Sequence, residues 1–170
     1  MKSLTRDELN RLLDAAEKYS ALDALMIRVS FNHGLRVSEA IDLTRTNIVD
    51  GHLVVQRLKK SRLTCQPLLS DEKDALEQLA KTDGRFFPMH RMTVWRKMQR
   101  YGAEAGIPQF KCHSHVLKHT TGKLGFNKGQ GMTIPEVQVW LGHVNGGNTL
   151  KYMEATEEEA ACAFAAAVGK

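Results

Sequence analysis

Leu141-Gly142-His143, followed by Thr149-Leu150-Lys151-Tyr152, sets a histidine nine residues before a tyrosine near the end of a 170-residue chain. Working backwards, His115-Val116-Leu117-Lys118-His119-Thr120 holds another histidine and a lysine three residues on. Further back comes a polar tip, Lys59-Lys60-Ser61-Arg62, leading to Pro67-Leu68. First in order stands Gly34-Leu35-Arg36-Val37-Ser38-Glu39. Cationic or protonatable groups and a phenol thus form one ordered set. Attack on a phosphodiester builds negative charge on the phosphoryl oxygens, and fixed donors aimed at them are the largest expected source of rate. A tyrosine oxygen can hold the phosphate covalently. His115 and Lys118 are three apart on an expected helix, so they share a face and can reach one phosphate.

Taken together, in this order and at these spacings, the four stretches resemble the catalytic domain of the tyrosine recombinases, the lambda-type phage integrase family. The resemblance runs from about Leu4 to about Thr156. It implies a mainly α fold with a small three-stranded antiparallel sheet, forming a single catalytic domain over residues 1–170. It implies that Arg36, His115, Lys118 and His143 hold the non-bridging oxygens and manage protons. Tyr152 would be the nucleophile and His119 structural. Lys59 and Lys60 compete for the hairpin lysine, the general acid that protonates the leaving 5′ oxygen. The family's lysine typically stands eight residues before its proline, which matches Lys59 before Pro67. One position departs from the pattern. The family's second arginine is Lys118 here, which keeps the charge but loses the planar fork that grips two oxygens. Family members usually carry a separate helical DNA-clamping domain ahead of this region, and this chain is expected to begin at the catalytic domain. Residues 156–170 are expected to form a tail helix that docks on its own domain or on a neighbouring protomer.

Composition sets bounds on this reading. Hydrophobic content of 42% and charged content of 25% are those of an ordinary soluble globule. No long apolar run and no apolar N-terminal core occur, so a cytoplasmic protein with no membrane span is expected. Cys65, Cys112 and Cys162 are odd in number and unpatterned, which suits a reducing compartment. Net charge is +5, and from Arg85 to Lys128 nine Lys/Arg stand against a single acid, Glu104. The tail instead carries Glu154, Glu157, Glu158 and Glu159. A basic middle with an acidic tail points to a polyanion on one face. Duplex DNA is the expected partner, with Lys60, Arg62, Arg96, Lys97, Arg100, Lys111 and Lys123 as backbone contacts. Self-association on DNA as a tetrameric synapse is expected, with a monomer or weak oligomer when free.

His115 and His119 stand one helical turn apart with Cys112 and His113 nearby, a spacing that also suits zinc. No second Cys/His cluster of matching spacing exists, and carboxylates are missing there. No metal or other cofactor is therefore expected. Bond energy kept in a phosphotyrosyl link also removes any need for ATP.

The remaining pattern is largely helical. Thr5-Arg6-Asp7-Glu8 is a capping box ahead of Leu9, Leu12, Leu13 and Ala16 at helical spacing. A second helix is expected from about Leu22 to Asn32, stopping near Gly34, with Arg36 opening a short third. Asn47 to Leu68 reads as strands, with Asp50-Gly51 a tight turn. Ser70 is expected to cap a helix with Asp71 and Glu72 in its first turn. Helices follow at about 92–105, 115–126 and 134–141, with Ser114 capping the second and Thr133-Ile134-Pro135-Glu136 boxing the third. Trp140 reads as core. Two other classes stay open: a non-catalytic DNA-binding relative, for which Lys118 speaks, and a type IB topoisomerase-like nicking enzyme.

Overall fold

Thr5 opens the first helix as its sequence requires. Its hydroxyl accepts from the Glu8 amide at 3.1 Å, and the Glu8 carboxylate accepts from the Thr5 amide at 2.8 Å. The computed structural model describes residues 2–58, 62–126, 131–144 and 147. Helix α1 (Arg6–Glu17) buries Leu9, Leu12, Ala15 and Ala16. Helix α2 (Ala21–Asn32), capped by Ser20, packs against it and buries Ala24, Met26, Ile27 and Val29. Each large aliphatic side chain so removed from water contributes about 1.5–3 kcal/mol. That apolar stripe, not helix propensity, holds the pair together.

The chain turns at Gly34 and enters the short α3 (Val37–Ile41) with Arg36 at its N-cap. An antiparallel sheet follows in the order β1 (Ile48–Val49), β2 (His52–Gln56) and β3 (Leu63–Pro67). Asp50 and Gly51, with φ of 47° and 73°, make the two-residue turn between β1 and β2. The β2–β3 register pairs Val54 with Cys65 and Gln56 with Leu63. Leu53 and Val55 of β2 point into the core, as the period of two demands.

Helices α4 (Lys73–Leu79), α5 (Arg91–Glu104), α6 (Ser114–Gly125) and α7 (Ile134–Trp140) complete the described fold. Phe87, Leu76, Met98 and Leu117 fill the space between these helices and the first two. Helix α6 lies against α2, and α7 against β3. The fold is mainly α with a three-stranded antiparallel sheet, as expected.

Two caps differ from expectation. α4 begins at Lys73 with Glu72 at the N-cap position and no side-chain cap, so Ser70 does not cap it and Asp71 and Glu72 lie ahead of its first turn. Glu72 turns inward instead, because the buried His33 and Asn32 need a carboxylate: His33 Nε2 lies 2.5 Å from it and Asn32 Nδ2 2.8 Å. Ser114 is the first residue of α6, and His113 takes the cap position. The Thr133 box is present, with the Glu136 carboxylate 2.6 Å from the Thr133 amide. Trp140 is half-buried, its ring N–H donating to the Asn32 carbonyl at 2.9 Å.

Candidate active site

The site grows from the end of α2. Gly34 has φ of +58°, a left-handed conformation that reverses the chain and that side chains other than glycine resist. Arg36 therefore emerges at the start of α3. Its amide and its guanidinium both donate to Glu39, at 2.8 Å each, and the guanidinium also reaches the Leu58 carbonyl at 3.2 Å. The side chain stays 20% exposed, so its outer face can meet a ligand. Glu39 is buried. Burial alone would raise its pKa, but hydrogen bonds from the amides of Arg36 and Leu58 and from the Arg36 side chain, with the charge of Arg57, hold it below the usual value.

Lys118 sits on the inward side of α6 and is only 2% exposed. Its ammonium donates to the Gly34 carbonyl at 2.8 Å and the Leu141 carbonyl at 3.0 Å. It thus joins the loop of Arg36 to the loop of His143. Burial, with the Arg57 charge next, pulls its pKa down to about 7. His143 follows Gly142, whose φ of +67° ends α7. Its ring is 8% exposed, and burial and the charges of Lys118, Arg36 and Arg57 lower its pKa to about 4. A neutral imidazole suits proton transfer or hydrogen-bond donation more than charge pairing.

His115 lies on the exposed side of α6, edge to face with His119 at 4.5 Å between ring centres. Burial and the neighbouring His115 lower the His119 pKa to about 4. His115 and Lys118 share the first turns of α6 but differ in depth: one is exposed and the other buried. Cys112, once a possible metal ligand, turns its thiol to the carbonyls of Ile107 and Pro108. Among the described residues no group of three His, Cys, Asp or Glu side chains converges to hold a metal ion.

Sequence reading missed Arg57. Its side chain is wholly buried. Nε donates to Thr64 Oγ1 at 2.8 Å, one terminal nitrogen to Glu39 at 3.2 Å and the Gly34 carbonyl at 3.3 Å. The other reaches the His33 carbonyl at 2.6 Å, and Gln66 Oε1 and the Trp140 carbonyl at 3.3 Å each. A signal existed: period two from Leu53 and Val55 puts Arg57 on the inward face, opposite the inward Thr64 and Gln66. A polar cluster on the core side of a hairpin calls for a buried network. The neighbouring His33–Glu72 pair was missed for the same reason.

The phage integrase family model matches residues 2–159. The chain belongs to the phage integrase family. It is 28% identical over 168 residues to the type 1 fimbriae regulatory protein FimE of Escherichia coli (strain K12), covering 88% of this chain and 83% of that protein. It is 31% identical over 170 residues to tyrosine recombinase XerA of Pyrococcus furiosus, covering 91% of this chain and 58% of the relative. The catalytic domain of bacteriophage HP1 integrase superposes with a TM-score of 0.72 at 24% identity, covering 96% of this chain and 95% of that one. XerH site-specific recombinase, in a post-cleavage complex with its palindromic difH substrate, gives a TM-score of 0.76 at 20% identity over 96% of this chain. This chain spans 52% of that recombinase's length.

Against this integrase fold the other candidate residues separate. Lys59, Lys60, Tyr152 and the tail 156–170 lie outside the described residues. Arg62, Arg96 and Lys123 are exposed, and Lys123 lines an open depression of about 480 Å³ together with Lys2, Arg6 and Phe110. Lys97 is taken up by the buried Asp23, at 2.5 Å and 2.7 Å, and Lys111 by Glu8 at 2.8 Å and 2.9 Å. Arg100 lies over the Tyr19 ring at 3.9 Å. Among the described residues no helix is long and apolar enough to cross a membrane.

Proposed function

We propose that this integrase-family chain cuts and rejoins duplex DNA through a covalent phosphotyrosyl intermediate, as the catalytic part of a site-specific recombinase. The observation that carries the proposal is the Lys118 ammonium on the Gly34 and Leu141 carbonyls, which joins the loop of Arg36 to the loop of His143, with His115 on the same helix as Lys118. Three boxes distant in sequence meet there, and each supplies a donor suited to a phosphoryl oxygen. The Tyr152 oxygen would attack phosphorus and the bond to the 5′ oxygen would break. Lys59, or Lys60 in its place, would give that oxygen its proton. A 5′ hydroxyl from another strand would then attack the phosphotyrosyl bond and release the tyrosine. Exposed Arg62, Arg96 and Lys123 would meet the DNA backbone. Assembly as a tetramer on DNA, with the tail of one protomer on the next, completes the reading, and cytoplasmic action on DNA fits it.

The burial of Lys118 favours a second reading, a non-catalytic DNA-binding regulator. One experiment separates the two. The chain is incubated with nicked duplexes taken from the DNA flanking its own gene, and the products are run on a denaturing gel. A protein–DNA adduct that Tyr152→Phe abolishes, with DNA binding intact, supports cleavage. Binding without adduct in the wild type supports the regulator. Strand transfer to a second duplex separates a recombinase from a topoisomerase-like enzyme.

A further inference from the structure

We propose that Arg57 is a positioning residue of the strand-cleavage site: its buried guanidinium holds the Arg36 loop, the His143 loop and strand β3 in one arrangement. This rests on the cleavage reading above. Six acceptors from four parts of the chain surround the group. His33 and Gly34 belong to the turn before Arg36. Glu39 also binds Arg36, so one carboxylate is shared between the two arginines. Thr64 and Gln66 lie on β3, and Trp140 ends α7, three residues before His143. Gln66 Nε2 donates to that same Trp140 carbonyl at 2.8 Å, which ties β3 to α7 a second time.

An arginine has five N–H donors, and all five are engaged here. Arg57 therefore has nothing left for a phosphate and acts only through the groups it holds. The fit is tight at the far end of the stem. A Cβ added at Gly142 would lie 2.8 Å from Arg57 Cγ and 3.1 Å from Thr64 Cγ2. The residue before His143 is thus shaped around the arginine. Lysine could not replace it, since one ammonium cannot reach acceptors on four sides.

The arrangement also has an electrostatic consequence. Around Lys118 stand Arg57 from the hairpin and Arg36 and Glu39 from α3. Around His143 stand Lys118 and His119 from α6, Arg36 from α3 and Arg57. In both sets Arg57 opposes protonation of its neighbour.

The test compares wild type, Arg57→Met and Arg57→Lys. Folding is checked by circular dichroism and DNA affinity by titration. Cleavage is read as single-turnover adduct formation on a nicked duplex across pH. The His143 ring is titrated by NMR, which needs no activity. Arg57→Met should keep DNA affinity within about threefold while cleavage falls roughly tenfold to a hundredfold, the scale of a misplaced reacting group. Its His143 midpoint should rise, because a neighbouring positive charge has gone. Arg57→Lys should restore the midpoint toward wild type but recover little of the rate. Wild-type cleavage in folded Arg57→Met overturns the proposal, and so does an unmoved His143 midpoint. If Arg57→Met does not fold, full activity in Arg57→Lys overturns it, since a buried charge alone would then suffice. Should the wild type form no adduct, the cleavage reading fails, and the His143 midpoint still decides whether Arg57 governs the site.

Discussion

Lys118 turns an expected fixed cation into a group that changes charge near neutral pH. A neutral amine keeps two N–H groups, enough for the Gly34 and Leu141 carbonyls. What deprotonation removes is the third proton and the charge, the parts a phosphate would use. With a pKa drawn down to about 7 by burial and then by Arg57, the cation is present below that pH and lost above it. Cleavage by the wild type should therefore fall as pH rises through about 7, with bound phosphate moving the midpoint upward. Lys118→Arg should hold its rate over the same range, because guanidinium stays charged. Lys118→Ala should raise the barrier by about 2–4 kcal/mol at low pH, as loss of one charge-assisted donor does. Single-turnover rates of the three forms from pH 6 to 9 check this. Equal rates for lysine and alanine would place Lys118 outside the chemistry.

At the scale of elements, the turn from α2 into α3 is where backbone and site meet. The Gly34 carbonyl accepts from both Lys118 and Arg57. A Cβ there would overlap Leu141 Cδ2, on a backbone with φ of +58°. Gly34→Ala should cost about 1–3 kcal/mol of stability from the left-handed conformation. It should reduce cleavage by more than the unfolded fraction accounts for, since the carbonyl shifts with the backbone. Denaturant melts set beside adduct rates measure both. On α5 the expectation is opposite in kind. Lys97 and Tyr101 satisfy the buried Asp23 carboxylate, and Tyr101 has its pKa raised by burial and that contact. Lys97→Ala should lower stability by roughly 1–3 kcal/mol, the cost of a buried group left short of partners. It should leave the salt dependence of DNA binding unchanged, whereas Arg96→Ala or Lys123→Ala should reduce the logarithmic salt slope by about one.

For the whole molecule, the shifted lysine and histidines point one way with pH. Lys118, His119 and His143 have folded pKa values below their usual ones, through burial first. The unfolded chain therefore binds more protons, and stability rises with pH across each interval. For Lys118 the interval runs from about 7 to 10.5, and for the two histidines from about 4 to 6.5. Glu39 and Glu72 are also held below 4.5, despite burial that would raise them, so their contribution is lost as pH falls further. The melting temperature should fall steadily as pH drops from 7 to 4. The double variant His119→Gln, His143→Gln should flatten the upper part of that fall. An unchanged profile in the double variant would mean that these histidines titrate normally in the folded chain.

The sequence alone determined the helices with strong local codes and the order of the site boxes. Thr5–Glu8 and Thr133–Glu136 close their caps within three residues, Asp50-Gly51 forms its turn alone, and Gly34 and Gly142 stop helices by their own backbone preference. Such signals act over one turn of chain, so they can be read one turn at a time. Ser70 and Ser114 carried the same local code and lost to the tertiary fold. At Ser70 the reason is visible: the buried His33 and Asn32 drew Glu72 inward. Lys118 was placed on the right helix, but its depth depended on Gly34 and Leu141, carbonyls that only packing brings near it. Arg57 was passed over because none of its six acceptors is closer than seven residues along the chain. A buried charge is stable only where such partners converge, and that convergence is a property of the folded molecule.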